Sequence, residues 1–173
     1  MQKHLLDKKD IERIIARISS EILERNKDTS RLIVIGIKKR GDFLGERIAH
    51  KLEFMDGQKV ETAAIDITFY RDDVQLKAYK YLLKEEINFE ITDKNVVLVD
   101  DVIFTGRTIR AAVDALIDSG RPKSIQLVVL IDRSGRELPI QPDYFGKKIH
   151  ADFKSKVLVH IKEIDGEDEV LIS

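Results

Sequence analysis

An α/β domain with a mostly parallel core sheet flanked by helices is predicted by three observations. Short runs rich in branched apolar residues, LIVIGI (32–37), VVLV (96–99) and IQLVVLI (125–131), have the character of strands covered on both faces. The first two are followed by segments of helical period, GDFLGERIAHKL (41–52) and TIRAAVDALIDSG (108–120). Strand followed by helix, repeated, is the pattern of parallel strands joined by crossover helices.

Taken in order, residues 10–25 place Ile11, Ile14, Ile15, Ile18, Ile22 and Leu23 at helical spacing, with arginine and glutamate on the other face. The strand 32–37 follows, then a helix whose apolar side carries Leu44, Ile48 and Leu52. From Thr62 to Tyr70 the chain alternates, Ile65, Ile67 and Phe69 against Asp66, Thr68 and Tyr70, as a strand does. Residues 71–95 are highly charged without a sustained period, and a loop of that length in a compact domain is expected to be functional. After the strand 96–99, helix 108–120 gathers Ile109, Ala112, Val113, Leu116 and Ile117 on one face and stops at Gly120 and Pro122. The C-terminal KVLVHIKEIDGEDEVLIS reads as two strands joined by a hairpin turn at Asp165-Gly166.

The 173 residues contain no repeat or linker and are expected to form one domain, 1–173. Thirty Lys and Arg balance 31 Asp and Glu, so the total charge of −1 does not mark a polyanion-binding protein. The absence of cysteine excludes a disulfide scaffold, a thiolate zinc site and a cysteine nucleophile. It suits a reducing compartment. MQKHLLDKKD lacks the apolar stretch of a signal peptide, and a soluble, cytoplasmic protein is expected. His4, His50, His150 and His160 show no metal-ligand or triad spacing and are expected in surface or packing roles.

The stretch VDDVIFTGRT (99–108) concentrates the chemistry. Asp100 and Asp101 stand where an apolar strand runs out, the edge at which open α/β sheets collect ligands. Ionised carboxylates only accept hydrogen bonds, so an adjacent pair suits a vicinal diol or a hydrated divalent cation. Past Val102, Ile103 and Phe104, the turn Thr105-Gly106-Arg107-Thr108 opens a helix whose first N–H groups and dipole favour a phosphate. The spacing matches a ribose 2′,3′-diol and its own 5′-phosphate. Gly36 to Gly41 has the glycine spacing of a nucleotide-binding P-loop, but Asp42-Phe43 follows where that motif needs Lys-Ser/Thr. A phosphoacceptor signalling domain also carries paired aspartates after a strand, yet only 72 residues follow Asp101, too few for the rest of such a domain.

Apolar strand, paired acids, two apolar residues, then TGRT and a helix is the fingerprint of the type I phosphoribosyltransferases. The chain further resembles the pyrimidine-operon attenuation regulators that are also uracil phosphoribosyltransferases. The similarity runs from about residue 10 to 172 and is densest at IGIKKRG (35–41), IDITFYRDD (65–73), VVLVDDVIFTGRTIRAAVDAL (96–116), SGRPKSIQLVVLIDRSGRELPI (119–140) and DYFGK (143–147). It implies a parallel core sheet plus a small hood, contributed mainly by residues 132–150 with the N-terminal residues. The implied reaction joins uracil to phosphoribosyl pyrophosphate, giving UMP and pyrophosphate with Mg²⁺.

On that resemblance Asp100 and Asp101 anchor the ribose diol, directly or through Mg²⁺, and Thr105 to Thr108 hold the 5′-phosphate. Lys38, Lys39, Arg40 and Gly41 cradle the pyrophosphate in a loop that in this class often carries a non-proline cis peptide. Tyr70, Arg71 and Asp72 begin a loop that closes over the site, with Arg71 reaching the pyrophosphate. Uracil lies near Phe104 and beneath Ile131, Asp132 and Arg133. Purine-salvage relatives carry an aspartate where Phe104 stands, so a pyrimidine is favoured. The resemblance also implies a homodimer or higher homo-oligomer that binds pyrimidine-operon leader RNA through Arg17, Arg25 and Arg136. Ala16, Ser20 and Gly135, however, stand where RNA-binding members carry a threonine and two histidines. The enzyme therefore ranks first. The alternatives are an RNA-binding regulator that senses nucleotide with little catalysis, and a phosphoribosyltransferase for another base. Residues 74–95 and the stretch after Lys147, Lys-Ile-His-Ala-Asp-Phe-Lys, depart from the family pattern, and base specificity is the expectation most exposed to both.

Overall fold

A computed structural model describes residues 2–68 and 87–173. The chain runs β1 (Lys3–Leu6), α1 (Lys8–Arg25), a 3₁₀ turn (Thr29–Arg31), β2 (Leu32–Ile37), α2 (Gly41–Asp56), β3 (Glu61–Ile65), β4 (Asn95–Ile103), α3 (Arg107–Ser119), β5 (Ser124–Arg133), β6 (Tyr144–Ile149), β7 (Val157–His160), α4 (Lys162–Asp165) and β8 (Glu169–Ile172). Helix α1 begins two residues before the expected Asp10 because Asp7 caps it. The Asp7 carboxylate accepts the Asp10 N–H at 2.8 Å, and the Asp10 carboxylate accepts the Asp7 N–H at 3.2 Å.

The main sheet has the order β3-β2-β4-β5-β6, and every pairing is parallel. Alternate residues of its central strands enter two separate cores, which is why those strands are apolar throughout. Val34, Val97, Val99, Val128 and Leu130 pack with Ile11, Ile15, Ile18 and Ile22 of α1 and Leu44, Ile48 and Leu52 of α2. Ile33, Ile35, Leu98, Leu127 and Val129 pack with Ile109, Ala112, Ala115 and Leu116 of α3 on the other face. No helix among the described residues is long and apolar enough to cross a membrane.

Four features differ from the expected elements. Strand β4 does not end at Val99 but continues through both aspartates, with Asp100 opposite Val129 and Ile103 opposite Asp132. Strand β6, YFGKKI, was not anticipated; as an edge strand it carries two lysines and exposes Phe145, so it lacks the apolar signature of a central strand. The strand expected over 62–70 is described as β3 only to Ile65, and Phe69 and Tyr70 lie outside the described residues. The C-terminal strands do pair antiparallel, but a one-turn helix, α4, joins them, and Gly166 serves as its left-handed cap at φ 85° instead of closing a two-residue turn.

A second sheet, β1-β8-β7, is antiparallel and joins the two ends of the chain. The hood was expected mainly from 132–150; in the structure 144–149 form the edge of the main sheet, and the small sheet comes from the N-terminal and C-terminal strands. His4 and His160 flank Glu169 across this sheet, at 2.6 and 2.8 Å from its two carboxylate oxygens. Arg47 of α2 fastens the small sheet to the main body. Its guanidinium meets Glu163 at 2.5 and 2.9 Å and Asp168 at 2.8 and 3.1 Å. Burial alone would lower the Arg47 pKa, but the two carboxylates outweigh it and raise the value.

Candidate active site

Strands β2 and β4 are parallel neighbours, so the turns that follow them emerge at the same edge of the sheet. Each turn leads into a helix whose first turn has no side-chain cap: α2 behind Arg40 at φ 75°, and α3 behind Gly106 at φ 93°. Gly106 offers α3 no side-chain cap and the first turn contains no acid, so among the described residues only the Arg107 N–H at its N-terminus meets a side chain, the Thr105 hydroxyl. Such a terminus is an anion site in waiting. Thr105 shapes the turn: its carbonyl accepts the N–H groups of Glu137 and Leu138 at 2.9 and 3.2 Å, and its hydroxyl oxygen accepts the Arg107 N–H at 3.3 Å. Arg107 reaches outward to Glu137 at 2.7 Å.

Asp100 is 5 % exposed and Asp101 is half-buried. Each turns one oxygen to backbone: Asp100 Oδ1 accepts the Asp101 N–H at 2.9 Å, and Asp101 Oδ1 accepts the Val102 N–H at 2.7 Å. Burial, followed by the charge of its neighbour, pushes the Asp100 carboxyl well above the usual carboxylate range. Burial also raises Asp101, with the Val102 N–H and then the Arg40 charge offsetting part of the effect. Among the described residues no ion pair within 4.0 Å neutralises either one. Two adjacent carboxylates, one buried and one half-buried, offer acceptor oxygens suited to hydroxyl donors or to a divalent cation.

The loop between β2 and α2 lies directly against this pair. The cis bond expected in it falls between Lys38 and Lys39. A Cβ on Gly41 would stand 2.5 Å from the Val99 carbonyl oxygen and 3.1 Å from the Asp100 Cα, so only glycine lets the loop approach so closely. Lys38 and Lys39 are exposed, while Arg40 is turned to Asp165 of α4, which it meets at 3.0 and 3.2 Å.

The residues expected near the base form a second wall. The Arg133 guanidinium lies 4.0 Å from the centre of the Phe104 ring. It is fixed by the carbonyl oxygens of Ser155 and Asp152 at 2.9 and 3.0 Å, and burial lowers its pKa. Ile131 and Asp132 are buried beside it. Phe153 also packs against Phe104, ring centres 5.2 Å apart and planes tilted by 53°. No sequence signal marked Phe153 as part of this wall, since it is exposed and isolated in a polar stretch. Gly135, at φ 116°, passes where a Cβ would come within 2.2 Å of the Phe104 ring.

The three arginines expected on an RNA face occupy different settings. Arg17 and Arg25 lie on α1 against β6: Arg17 donates to the carbonyls of Phe145 and Gly146 at 2.8 and 3.0 Å, and Arg25 pairs with Asp143 at 2.6 Å. Arg136 is an internal strut, donating to the Phe104 carbonyl and to Asp132, both at 2.6 Å, so that it supports the base wall from behind. Tyr70, Arg71 and Asp72 lie outside the described residues.

A family model described as a phosphoribosyl transferase domain matches residues 1–162. This chain belongs to that family. It is 52 % identical to the Bifunctional protein PyrR of Clostridioides difficile over 97 % of this chain and 96 % of that one. It is 48 % identical to the protein of the same name from Bacillus subtilis, over 97 % and 94 %. The fold agrees with solved phosphoribosyltransferases. A hypoxanthine phosphoribosyltransferase of Trypanosoma cruzi superposes with a TM-score of 0.75 at 19 % identity, covering 98 % of this chain and 95 % of that chain. An HGPRT-ase of Leishmania tarentolae gives 0.74 at 18 % identity, covering 99 % and 96 %. At such identities these two speak to the fold alone, and that fold is the type I arrangement the sequence predicts.

Proposed function

We propose that the protein, acting as one domain, transfers the phosphoribosyl group of phosphoribosyl pyrophosphate to uracil, forming UMP and pyrophosphate. The observation that carries this reading is the pair of Asp100, buried, and Asp101, half-buried, without an ion pair among the described residues and placed between two helix N-termini that lack side-chain caps. The α3 terminus and Thr105 to Thr108 receive the 5′-phosphate, the two aspartates hold the ribose hydroxyls, and Lys38 to Gly41 receive the pyrophosphate. Uracil N1 forms its bond to C1 of the ribose as the bond to the pyrophosphate oxygen breaks, and the N1 proton leaves to solvent. Positive character grows on the sugar, so ionised carboxylates beside it favour the transition state over the ground state.

Mg²⁺ held at Asp100 and Asp101 would supply positive charge to the departing pyrophosphate. Asp100 and Asp101 fit it as hard oxygen donors whose raised pKa values mark a place short of positive charge. Phe104 favours a pyrimidine because an aromatic ring in van der Waals contact with Arg133 offers no acceptor for a purine N7 proton.

A second activity is favoured by the near-full-length identity to relatives named as bifunctional. It is binding of pyrimidine-operon leader RNA by a cytoplasmic homodimer, with Arg17 and Arg25 as the exposed candidates. Incubation with phosphoribosyl pyrophosphate, Mg²⁺ and each of uracil, hypoxanthine, guanine and orotate tests the enzyme. Turnover is expected with uracil alone, and its absence rejects the assignment. Leader RNA titrated at two salt concentrations should bind more tightly with UMP present, with affinity falling as salt rises. Weak binding indifferent to UMP contradicts the regulatory role.

A further inference from the structure

The pyrophosphate loop is not self-supporting. Arg40 caps α2 in a left-handed conformation, and its guanidinium is held from outside the main sheet by Asp165, whose Oδ2 and Oδ1 receive Nε and Nη2 at 3.2 and 3.0 Å. Asp165 is itself fixed, because its Oδ2 also accepts the Ile161 N–H at 2.8 Å. The helix that carries it is clamped to α2 by Arg47 through Glu163 and Asp168, and Asp168 further accepts the Lys162 N–H at 2.8 Å. An arginine bound through its Nε/Nη2 edge keeps the Nη1 edge available as donors, in a plane the carboxylate sets.

We propose that Asp165 is a positioning residue for the reaction: by gripping one edge of Arg40 it aims the other at the pyrophosphate of the bound substrate. This rests on the assignment of Lys38 to Gly41 as the pyrophosphate loop. The helix between β7 and β8 thereby sets affinity for phosphoribosyl pyrophosphate without touching it. It also couples the N-terminal and C-terminal strands to the active site, since β1 and β7 both pair with β8.

Steady-state kinetics on the full chain test this through Asp165→Asn, which retains an acceptor for the Ile161 N–H but loses the charge. The KM for phosphoribosyl pyrophosphate should rise about tenfold with kcat changed less than about twofold, the pattern of a lost uniform binding interaction. The KM for uracil should stay constant, and Asp165→Glu should restore part of the loss. In an Arg40→Gln background, Asp165→Asn should add nothing, because the group it positions is gone. An unchanged or lower KM for phosphoribosyl pyrophosphate in Asp165→Asn, a fall in kcat alone, or additive effects in the double variant overturns the inference. If Arg40→Gln itself leaves that KM unchanged, the pyrophosphate-loop assignment fails first; if it raises KM while Asp165→Asn does not, only the role of Asp165 fails.

Discussion

Replacing Asp100 by asparagine should make the protein more stable and nearly inactive. The side chain is buried, its carboxyl pKa lies well above the ordinary range, and no described cation pairs with it. A carboxyl whose folded pKa exceeds its unfolded value, about 3.9, binds its proton more tightly in the folded state. Its contribution to stability is therefore fully present below the unfolded value and is lost as pH rises through the folded one. Once the proton is lost, the buried charge is a liability to the folded state. Asparagine keeps the acceptor for the Asp101 N–H and removes the charge, so the gain should be about 1–2 kcal/mol at neutral pH, or roughly 2–8 °C in Tm. Near pH 4 the gain should vanish. Turnover should fall by about 10²–10³, the scale of losing a charged group that acts in the transition state. Thermal melts at pH 4 and pH 7 beside an activity assay read both effects. Asp101→Asn should behave alike with a smaller gain in Tm, because Arg40 already offsets part of the Asp101 charge. A variant that is active, or less stable at pH 7, removes the argument that these acids are retained for ligand binding against the interests of folding.

The other large effect is expected from a single methyl group. Gly41→Ala places a Cβ 2.5 Å from the Val99 carbonyl oxygen, a backbone atom in the middle of the sheet that has nowhere to go. Either the loop lifts off β4 or the strand bends, and both disturb Asp100. The loss should be about 2–4 kcal/mol, with a rise in the KM for phosphoribosyl pyrophosphate in whatever fraction folds. Gly57→Ala is the control. Gly57 has φ 75° at the end of α2 but nothing within 4 Å of its absent Cβ, so only the backbone penalty of about 1 kcal/mol applies, without change in kinetics. Chemical denaturation of the two variants separates close approach from conformational strain. Equal losses would show that the tight contact at Gly41 does not matter.

The parts of this protein that the sequence reveals are those governed by local chemistry. An apolar strand, paired acids and a glycine turn before a helix lie within ten residues, so the candidate sugar and phosphate subsites are proposed from the sequence itself. The apolar strands β2, β4 and β5 and their helices were legible for the same reason, since burial on both faces writes itself into every position. What stayed hidden depends on partners far apart in the chain. Strand β4 looks finished at Val99 because aspartates normally end strands, yet its backbone goes on pairing with β5 beyond them. Strand β6 is an edge, so its lysines and glycine disguise it. Asp165 looked like half of a turn; nothing local says that it holds an arginine 125 residues away. Arg136 looked like a surface cation and is a brace between Phe104 and Asp132.

The most direct test is the crystal structure of the protein with UMP bound. The ribose 2′- and 3′-hydroxyls should donate to the carboxylates of Asp100 and Asp101, directly or through a metal ion. The 5′-phosphate should accept N–H groups of residues 106–108 at the start of α3, and the base should lie against Phe104. UMP bound elsewhere, or bound here with its sugar turned away from both aspartates, would contradict the account.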